Sequence, residues 1–274
     1  MYIKKLFKKM GVFGLSLLLL GLFCHASNVK AAPFIDGGFG FGGWASKLTG
    51  NLAYKQGLIN LDSDLNLSTT KVAPKAWAEL ELPIPLFPNI RADVVVFKYT
   101  GSSTVTNLGF GDYVFNGSIS SKLKLNQYDF LLYYHIPFIR LATANTIDIR
   151  WGLEGRYFDG YVRVSGTASG FSVTEEKNFS FIIPMAYLGA TLSPPGVPFK
   201  VYADARGISY EGSYYYDFEG KIEFTLLKLP PVGRIFVDGG YKWEHLRLKE
   251  GKPINNFETK STLQGIFAEV GLDF

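Results

Sequence analysis

The chain has 274 residues, a formal net charge of +4 and a single cysteine, Cys24. Five lysines and no acidic residues lie in residues 1–31, so the remaining residues carry a formal charge of −1. The basic balance therefore belongs to the first 31 residues and gives no reason to expect a nucleic-acid partner. The rest of the chain has no cysteine, which excludes a disulfide framework.

The first 31 residues have the pattern of an export signal. Four lysines precede an uncharged run at residues 10–23, and Val29 and Ala31 are small enough for cleavage after Ala31. This order of features predicts a secretory signal peptide at residues 1–31. Residues 32–274 are then one domain, since no charged or Gly/Ser-rich linker divides them.

Two other interpretations of this segment are weaker. An uncleaved anchor helix would have to include His25, Ser27 and Asn28, which dilute its apolar character. Lipid attachment at Cys24 normally follows a small residue, and here the preceding residue is Phe23.

After the signal, apolar residues recur with a period of two. In residues 214–226, Tyr, Phe, Ile and Leu share one side, and Asp, Glu, Lys and Thr share the other. Such alternation is typical of β-strands with one apolar face. We predict ten strands, at residues 33–46, 75–83, 90–100, 112–136, 145–165, 176–192, 199–211, 213–228, 234–248 and 257–274.

Alternation alone does not say which face is inside. A soluble β-sandwich buries the apolar face, whereas a membrane barrel turns that face to lipid. Several of the alternating stretches run eleven residues or more, longer than an average soluble strand and long enough to cross a bilayer. We therefore predict an all-β fold, a transmembrane antiparallel up-and-down β-barrel of about ten strands, with eight or twelve also possible.

The connections support the barrel. Short proline-rich turns are expected at one end, at residues 83–89, 136–145, 193–198 and 229–233. Longer polar loops are expected at the other end, at residues 47–74, 100–112, 166–176 and 249–256, with a short exception at 211–213. Short turns at one end and longer loops at the other are typical of outer-membrane barrels.

The fourth predicted strand is unusually long, and its apolar phase changes between Leu125 and Phe130. A β-bulge inserts one residue and reverses the alternation. We therefore predict a bulge near Asn126–Gln127.

The last strand alternates through Ile266, Ala268, Val270, Leu272 and Phe274. A terminal Phe after such a stripe resembles the C-terminal signal of outer-membrane proteins. We predict that Val270, Leu272 and Phe274 form this assembly signal. Its expected partners are periplasmic chaperones and the barrel-assembly machinery during biogenesis, followed by outer-membrane lipid.

Several blocks carry a family resemblance. They are "LDSDLNL" (61–67), "WAELELPIPLFPNIR" (77–91), "SSKLKLNQYDFLLYY" (120–134), "GLEGRYFDG" (152–160), "PMAYLGA" (184–190), "ISYEGSYYYDFEGKIEF" (208–224) and the final "GLDF". In this order the chain resembles the uncharacterised small outer-membrane β-barrel proteins of Gram-negative bacteria. The resemblance implies a barrel in the outer membrane, and it implies no activity. Together with the signal peptide it predicts that the protein reaches the outer membrane after Sec-type export.

The inward side of such a barrel would be charged. Buried charges are costly unless they pair, so these residues are expected to form a structural plug of ion pairs. A narrow, weakly cation-favouring channel is the alternative. The predicted lumen network consists of Glu79, Glu81, Arg91, Asp93, Asp148, Arg150, Glu154, Arg156, Asp204, Arg206, Asp217, Glu219, Lys221, Glu223, Asp238, Lys242, Glu244 and Glu269.

An enzymatic role has little support in the sequence. After the signal, His135 is expected near the periplasmic end and His245 near the outer interface, where a lipid-modifying or proteolytic barrel enzyme would carry a base. No motif ties a serine to His245, and an amphipathic anchor explains it equally. We predict no enzyme.

No cofactor or metal is expected either. The chain has no phosphate-binding loop, zinc spacing or haem motif. The acidic stretch with Asp62, Asp64 and Asn66 lacks the Gly and Glu of a calcium loop, so we predict an exposed acidic loop. The aromatic residues expected in interfacial girdles are Trp44, Trp151, Trp243 and Tyr214–Tyr216.

Overall fold

The computed structural model describes residues 36–82, 86–231, 233–249 and 257–274. The predicted signal peptide and nearly all of the predicted loop at 249–256 lie outside this part of the chain. One short helix, α1, spans Pro137–Ala142, and no helix among the described residues is long and apolar enough to span a membrane. The strands are β1 (Asp36–Tyr54), β2 (Gln56–Asn60), β3 (Lys71–Glu81), β4 (Asn89–Phe110), β5 (Tyr113–His135), β6 (Ile147–Ala168), β7 (Phe171–Leu192), β8 (Phe199–Tyr210), β9 (Ser213–Leu229), β10 (Gly233–Leu248) and β11 (Phe257–Asp273).

Ten of these strands close into an antiparallel ring. Apart from β2, each strand pairs with its neighbours along the chain, and β11 pairs with β1 from Gly38–Asp273 to Tyr54–Phe257. The short β2 pairs with the end of β1, at Asn51–Tyr54. The predicted all-β, up-and-down barrel is confirmed, and its ring contains the ten predicted strands. We call the end where β1 begins and β11 ends the lower end, and the opposite end the upper end.

In the lower half of the ring, apolar side chains point outward and charged ones point inward. In β9, Phe218 and Ile222 are 51% and 45% exposed, whereas the alternate residues Asp217 and Glu223 are 0% and 3% exposed. Because successive side chains of a strand point to opposite faces, one face of each lower strand is apolar. We call the outward apolar side chains the belt; it includes Phe41, Phe130, Leu153, Ile182, Leu188, Phe218, Ile222, Tyr241 and Ile266.

In the upper half this arrangement is reversed. Along β6 the inward residues change from Glu154 and Arg156 to Val162 and Val164, which are buried, while the outward residues change from Leu153 to the half-buried Arg163. The strand continues without interruption through this change. The upper half is therefore built like a water-soluble domain, with a polar outside and an apolar inside.

This reversal corrects the predicted bulge near Asn126–Gln127. These two residues pair with Val96 and Val95 in an unbroken register, and the irregularities of this hairpin lie between Val105 and Leu108 and between Phe115 and Ile119. The inward side of β5 simply changes from polar to apolar at this height. The apolar residues therefore move from the outward to the inward face of β5, although the backbone continues without a bulge at this point.

The reversal also corrects the predicted upper loops. Residues 100–110 and 113–123 form a tall β4–β5 hairpin joined by a two-residue turn, and residues 166–168 and 171–176 extend β6 and β7 in the same way. Their outward polar residues made them look like loops. Their inward residues form a core, which keeps the hairpins ordered above the belt.

The apolar core fills the upper interior. Its members come from β1, β2, β3, β4, β5, β6 and β11, together with the segment at 61–67 between β2 and β3. Leu61, Leu65 and Leu67 of that segment are at most 3% exposed, while Asp62 is exposed as predicted for the acidic loop. The segment thus places its leucines inside the barrel and its first acidic residue outside.

A glycine allows this segment to pack against β4. A Cβ atom at Gly101 would lie 2.1 Å from the carbonyl oxygen of Leu65. The contact is completed by Asn66, whose side-chain amide donates to the Ser102 carbonyl at 3.0 Å. Any larger residue at position 101 would push the segment away from the strand.

Two aromatic residues predicted for the interfacial girdles lie inside instead. Trp44 is 0% exposed, packs edge-on against Phe97 at 5.2 Å and donates from Nε1 to the Gly265 carbonyl at 3.2 Å. Tyr215 is 2% exposed and bonds to Arg156. The girdle prediction is therefore wrong for these two, because inward aromatic residues fill the upper core.

Candidate functional site

The lower interior holds a network of buried ion pairs. Each strand of the lower half contributes inward side chains at every second position, so charges from distant parts of the chain meet on the barrel axis. Lys75 of β3, for example, lies 3.4 Å from Glu219 of β9 and 3.1 Å from Glu269 of β11. Both of these contacts span the ring closure and connect residues that the sequence separates widely.

Arg156 lies at the centre of this network. Its side chain is fully buried and its guanidinium contacts Asp129 at 2.6 Å, Asp217 at 2.8 Å and Glu244 at 2.9 Å. The contact to Asp129 is bidentate, with Nε donating to Oδ1 and Nη2 to Oδ2. Bidentate pairs of this kind fix geometry as well as charge.

Two further cations surround the same carboxylates. Arg206 donates from Nε to Glu154 at 2.6 Å. Lys242 lies 2.9 Å from Asp217 and 3.2 Å from Glu219. Each carboxylate here therefore faces at least one positive charge, as burial in a poorly solvated interior requires.

Toward the lower end the network continues as smaller groups of ion pairs, and those that include His135 and Arg234 are more exposed to solvent. Arg91 contacts Asp93 at 2.9 Å, and Arg150 contacts Asp204 at 3.3 Å. The remaining predicted residues also pair here. The contacts are Glu79 with Arg91 (3.4 Å), Lys221 with Asp238 (2.9 Å), Glu223 with Arg234 (2.6 Å), and both Asp148 (2.9 Å) and Glu81 (3.5 Å) with His135.

Sequence reasoning missed several members of this network. Lys75 and Arg234 lie at the beginnings of their predicted strands and share the inward parity of their neighbours, so the parity rule alone would have found them. Asp129 precedes the outward Phe130 and has the inward parity, so the same rule would have found it. Buried tyrosines also bond to the carboxylates, as Tyr187 does to Asp204 at 2.7 Å.

The upper core closes this interior from above. Trp44, Phe97 and Leu65 are 0% exposed and lie in the apolar cluster that fills the upper half. The charged lower interior therefore ends against packed apolar side chains.

His245 faces outward and belongs to an aromatic cluster. Its ring stacks on Trp243 at 5.5 Å with an interplanar angle of 8°, Nε2 lies 3.2 Å from the Tyr214 hydroxyl, and Nδ1 lies 2.7 Å from Thr262 Oγ1. Both ring nitrogens are thus engaged with neighbouring side chains. No serine or carboxylate is recorded as bonded to this ring among the described residues.

The C-terminal strand completes the ring at the lower end. The Phe274 amide donates to the Gly37 carbonyl at 2.8 Å, and the Gly37 amide donates back at 3.0 Å. Val270, Leu272 and Phe274 share the outward parity of Ile266. The predicted assembly signal therefore lies on the outward side of the seam between β11 and β1.

At the upper end, a pair outside the belt holds two turns together. Lys55 Nζ lies 2.8 Å from Asp112 Oδ2, linking the β1–β2 connection to the β4–β5 turn. The hydrogen bond with Asp112 raises the pKa of the Lys55 ammonium above its ordinary value.

No protein-family model and no curated protein matches the chain. Among solved structures, the chain is similar to the outer-membrane protease OmpT of Escherichia coli, with 11% identity, a TM-score of 0.47 and coverage of 90% of this chain and 99% of OmpT. It is also similar to Ail, the attachment invasion locus protein of Yersinia pestis (10% identity, TM-score 0.35, coverage of 88% and 99%). Neisserial surface protein A gives 10% identity, a TM-score of 0.30 and coverage of 88% and 97%. Because these identities are low and the TM-scores lie below 0.5, the similarity says nothing about the function of this chain.

Arg156→Leu tests how much the network depends on its central cation. The substitution leaves Asp129, Asp217 and Glu244 without their shared partner, and we expect the free energy of unfolding to fall by about 3–5 kcal/mol. Urea unfolding of the protein folded in detergent micelles measures this loss. Lowering the pH should shrink the loss, because the stranded carboxylates then become protonated.

Arg163→Leu is the matched control on the same strand. Arg163 faces outward and pairs with Glu176 at a surface where its side chain is 42% exposed. We expect a change of less than about 1 kcal/mol. Equal losses for the two variants would contradict a central role for the buried network.

Proposed function

We propose that this chain is an integral protein of the bacterial outer membrane, exported with residues 1–31 as a cleaved signal peptide. The observation that carries the proposal is the belt, because a ring with charges inside and apolar side chains outside is stable only where lipid surrounds it. In β9 the outward apolar residues run from Tyr216 to Leu226. Eleven residues of a tilted strand are enough to cross the hydrocarbon layer.

We propose further that the barrel has a structural role and presents its upper half to the outside of the cell. The orientation is supported by the tall β4–β5 and β6–β7 hairpins, which extend above the belt, and by the start of β1 and the end of β11, which lie at the lower end. In barrels of this kind the longer extensions lie on the extracellular side. The apolar core then acts as a closed extracellular extension. Its rigid polar outer surface is suited to contacts with other molecules.

A conducting channel is the less favoured function. The charged groups of the lower interior are held in ion pairs, and the upper core of Trp44, Phe97 and Leu65 packs across the path. Hydrophobic constrictions of this kind keep water and ions out.

An enzymatic function also has less support. His245 bonds to Tyr214 and Thr262 and stacks on Trp243, as an amphipathic anchor at the membrane boundary would do. A covalent mechanism would also need a third group that orients the histidine as a base, and among the described residues no carboxylate bonds to this ring. We therefore infer that the protein is not an enzyme.

A charge placed in the belt tests the membrane location. Ile266 is 67% exposed on the outside of β11. We expect Ile266→Lys to lower the free energy of unfolding in bilayers by about 2–4 kcal/mol, because an ammonium group would face hydrocarbon. Thr104→Lys, at an exposed outward position in the upper half, should change it by less than about 0.5 kcal/mol. Similar effects at both positions would contradict a lipid-facing belt.

Planar-bilayer recordings test the closed lumen. We expect no ion current from the refolded wild-type barrel across a range of salts and voltages. Replacing residues 61–67 with a Gly-Ser linker of equal length removes three buried leucines, and this variant should pass a small, cation-favouring current. Stepwise currents from the wild type would reject the structural role in favour of a channel.

Activity assays test the absence of catalysis. We expect no lipid A deacylation and no peptide cleavage by the wild-type barrel reconstituted in vesicles, and the same result for His245→Ala. A wild-type activity that His245→Ala abolishes would show that the protein is an enzyme.

A further inference from the structure

A cluster of basic residues lies on the outside of the barrel just above the belt. We call Lys98, Lys122, Lys124 and Arg163 the basic patch; they lie on the neighbouring strands β4, β5 and β6 and point outward. Lys98 follows Val96, the last outward apolar residue of β4, by two residues. Two residues of strand correspond to about 7 Å, so the patch begins where the apolar surface ends.

The strand register places like charges opposite each other. Lys98 pairs directly with Lys124 across β4 and β5, and Lys122 pairs directly with Arg163 across β5 and β6. Directly opposed like charges destabilise an antiparallel pair. A negatively charged group close to these two pairs would reduce the repulsion between the like charges.

Only the second pair is compensated by the protein itself, within the described part of the chain. Arg163 donates from Nε to Glu176 at 2.6 Å, and the Lys122 ammonium lies 5.8 Å from the centre of the Tyr161 ring. Among the residues that the structure describes, Lys98 and Lys124 form no ion pair with a carboxylate. Asp159 is the acid nearest in register, since it pairs with Asn126 below Lys124, and it makes no recorded ion pair either.

We propose that the basic patch binds the phosphate groups of a phosphorylated glycolipid in the outer leaflet, with Lys98 and Lys124 contacting the phosphate. The inference rests on the proposed outer-membrane location. A lysine ammonium binds phosphate as a point charge, and anionic headgroups lie at the height where the belt ends. Tyr128 and Tyr157, whose rings lie 6.3 Å apart directly below, would contact the upper part of the acyl chains.

Position relative to the belt separates this patch from other surface lysines. Lys260 lies six residues above Ile266 along β11, or about 20 Å of strand, and Lys249 lies beyond the upper end of β10. Both lysines are exposed. Removing them takes away the same two charges without touching the boundary of the belt.

The test compares two double variants in phosphatidylcholine nanodiscs. Binding of bis-phosphorylated lipid A is measured by native mass spectrometry for the wild type, for Lys98→Ser/Lys124→Ser and for Lys249→Ser/Lys260→Ser. We expect the first variant to bind about 30-fold more weakly, which corresponds to about 2 kcal/mol for two lysines near the membrane surface, and the second variant to bind like the wild type. Dephosphorylated lipid A should bind all three proteins equally weakly.

A second measurement shows that the variant folds and identifies the source of the phosphate. Without anionic lipid, Lys98→Ser/Lys124→Ser should resist urea at least as well as the wild type, because a repulsive pair has been removed. Lipid A should stabilise the wild type more than this variant. Inorganic pyrophosphate in solution should have no comparable effect, because it lacks the acyl chains that lie against the belt.

Specific outcomes would overturn the inference. Equal weakening in both double variants would mean that general surface charge attracts the lipid. Equal binding of phosphorylated and dephosphorylated lipid, or equal stabilisation by pyrophosphate, would reject a lipid-phosphate site. If the wild-type barrel inserts into the nanodisc bilayer but binds phosphorylated and dephosphorylated lipid A equally, only this inference fails. If it does not insert into the bilayer, the proposed function fails as well.

Discussion

Charge pairing across the interior is the interaction on which the lower half of the barrel depends. Lys75 of β3 reaches Glu219 of β9 and Glu269 of β11, and Arg156 of β6 reaches Glu244 of β10. These contacts exist only when the ring is closed, because their partners lie on strands that are far apart in the sheet. An open sheet would leave the same charges buried without partners or exposed to lipid, and either state costs several kcal/mol for each charge. Closure and charge pairing therefore require each other.

At the boundary between the charged and the apolar interior, side chains make polar contacts on one side and apolar contacts on the other. Lys75 lies 4.2 Å from the centre of the Phe267 ring, and Lys242 lies 5.7 Å from that of Trp44, so lower cations meet aromatic faces of the upper core. Tyr215 contacts Arg156 through its hydroxyl while its ring packs against Phe158. At these points cation–π contacts and amphipathic aromatic residues join the charged interior to the apolar one.

Much of the fold follows from the period of two, and the parts that do not follow have a common cause. The ten ring strands, their order and the inward charges such as Glu219 could be predicted because each follows from the alternation of residues within one short stretch of sequence. The bulge expected at Asn126–Gln127, the loops expected at 100–112 and 166–176, and the girdle position of Trp44 were wrong because each assumed one environment along the whole strand. Alternation shows that two faces differ, but it does not show where lipid gives way to water. Which charges pair is likewise absent from the pattern, since Lys75 and Glu219 are 144 positions apart.

The change of environment also explains why the register can stay unbroken through the middle of the barrel. A one-residue slip of a strand moves every side chain to the other face. In the lower half such a slip would turn Glu154 and Arg156 onto the outward apolar face, which we propose contacts lipid. In the upper half it would turn Val162 and Val164 toward water. The same slip is therefore unfavourable in both halves of β6, because it exposes charges in one half and apolar side chains in the other. A barrel with apolar residues on both faces would lack this restraint in the membrane, because lipid and an apolar interior are nearly equivalent surroundings for a leucine. The buried charges therefore contribute to the choice of register even where their pairing adds little net stability.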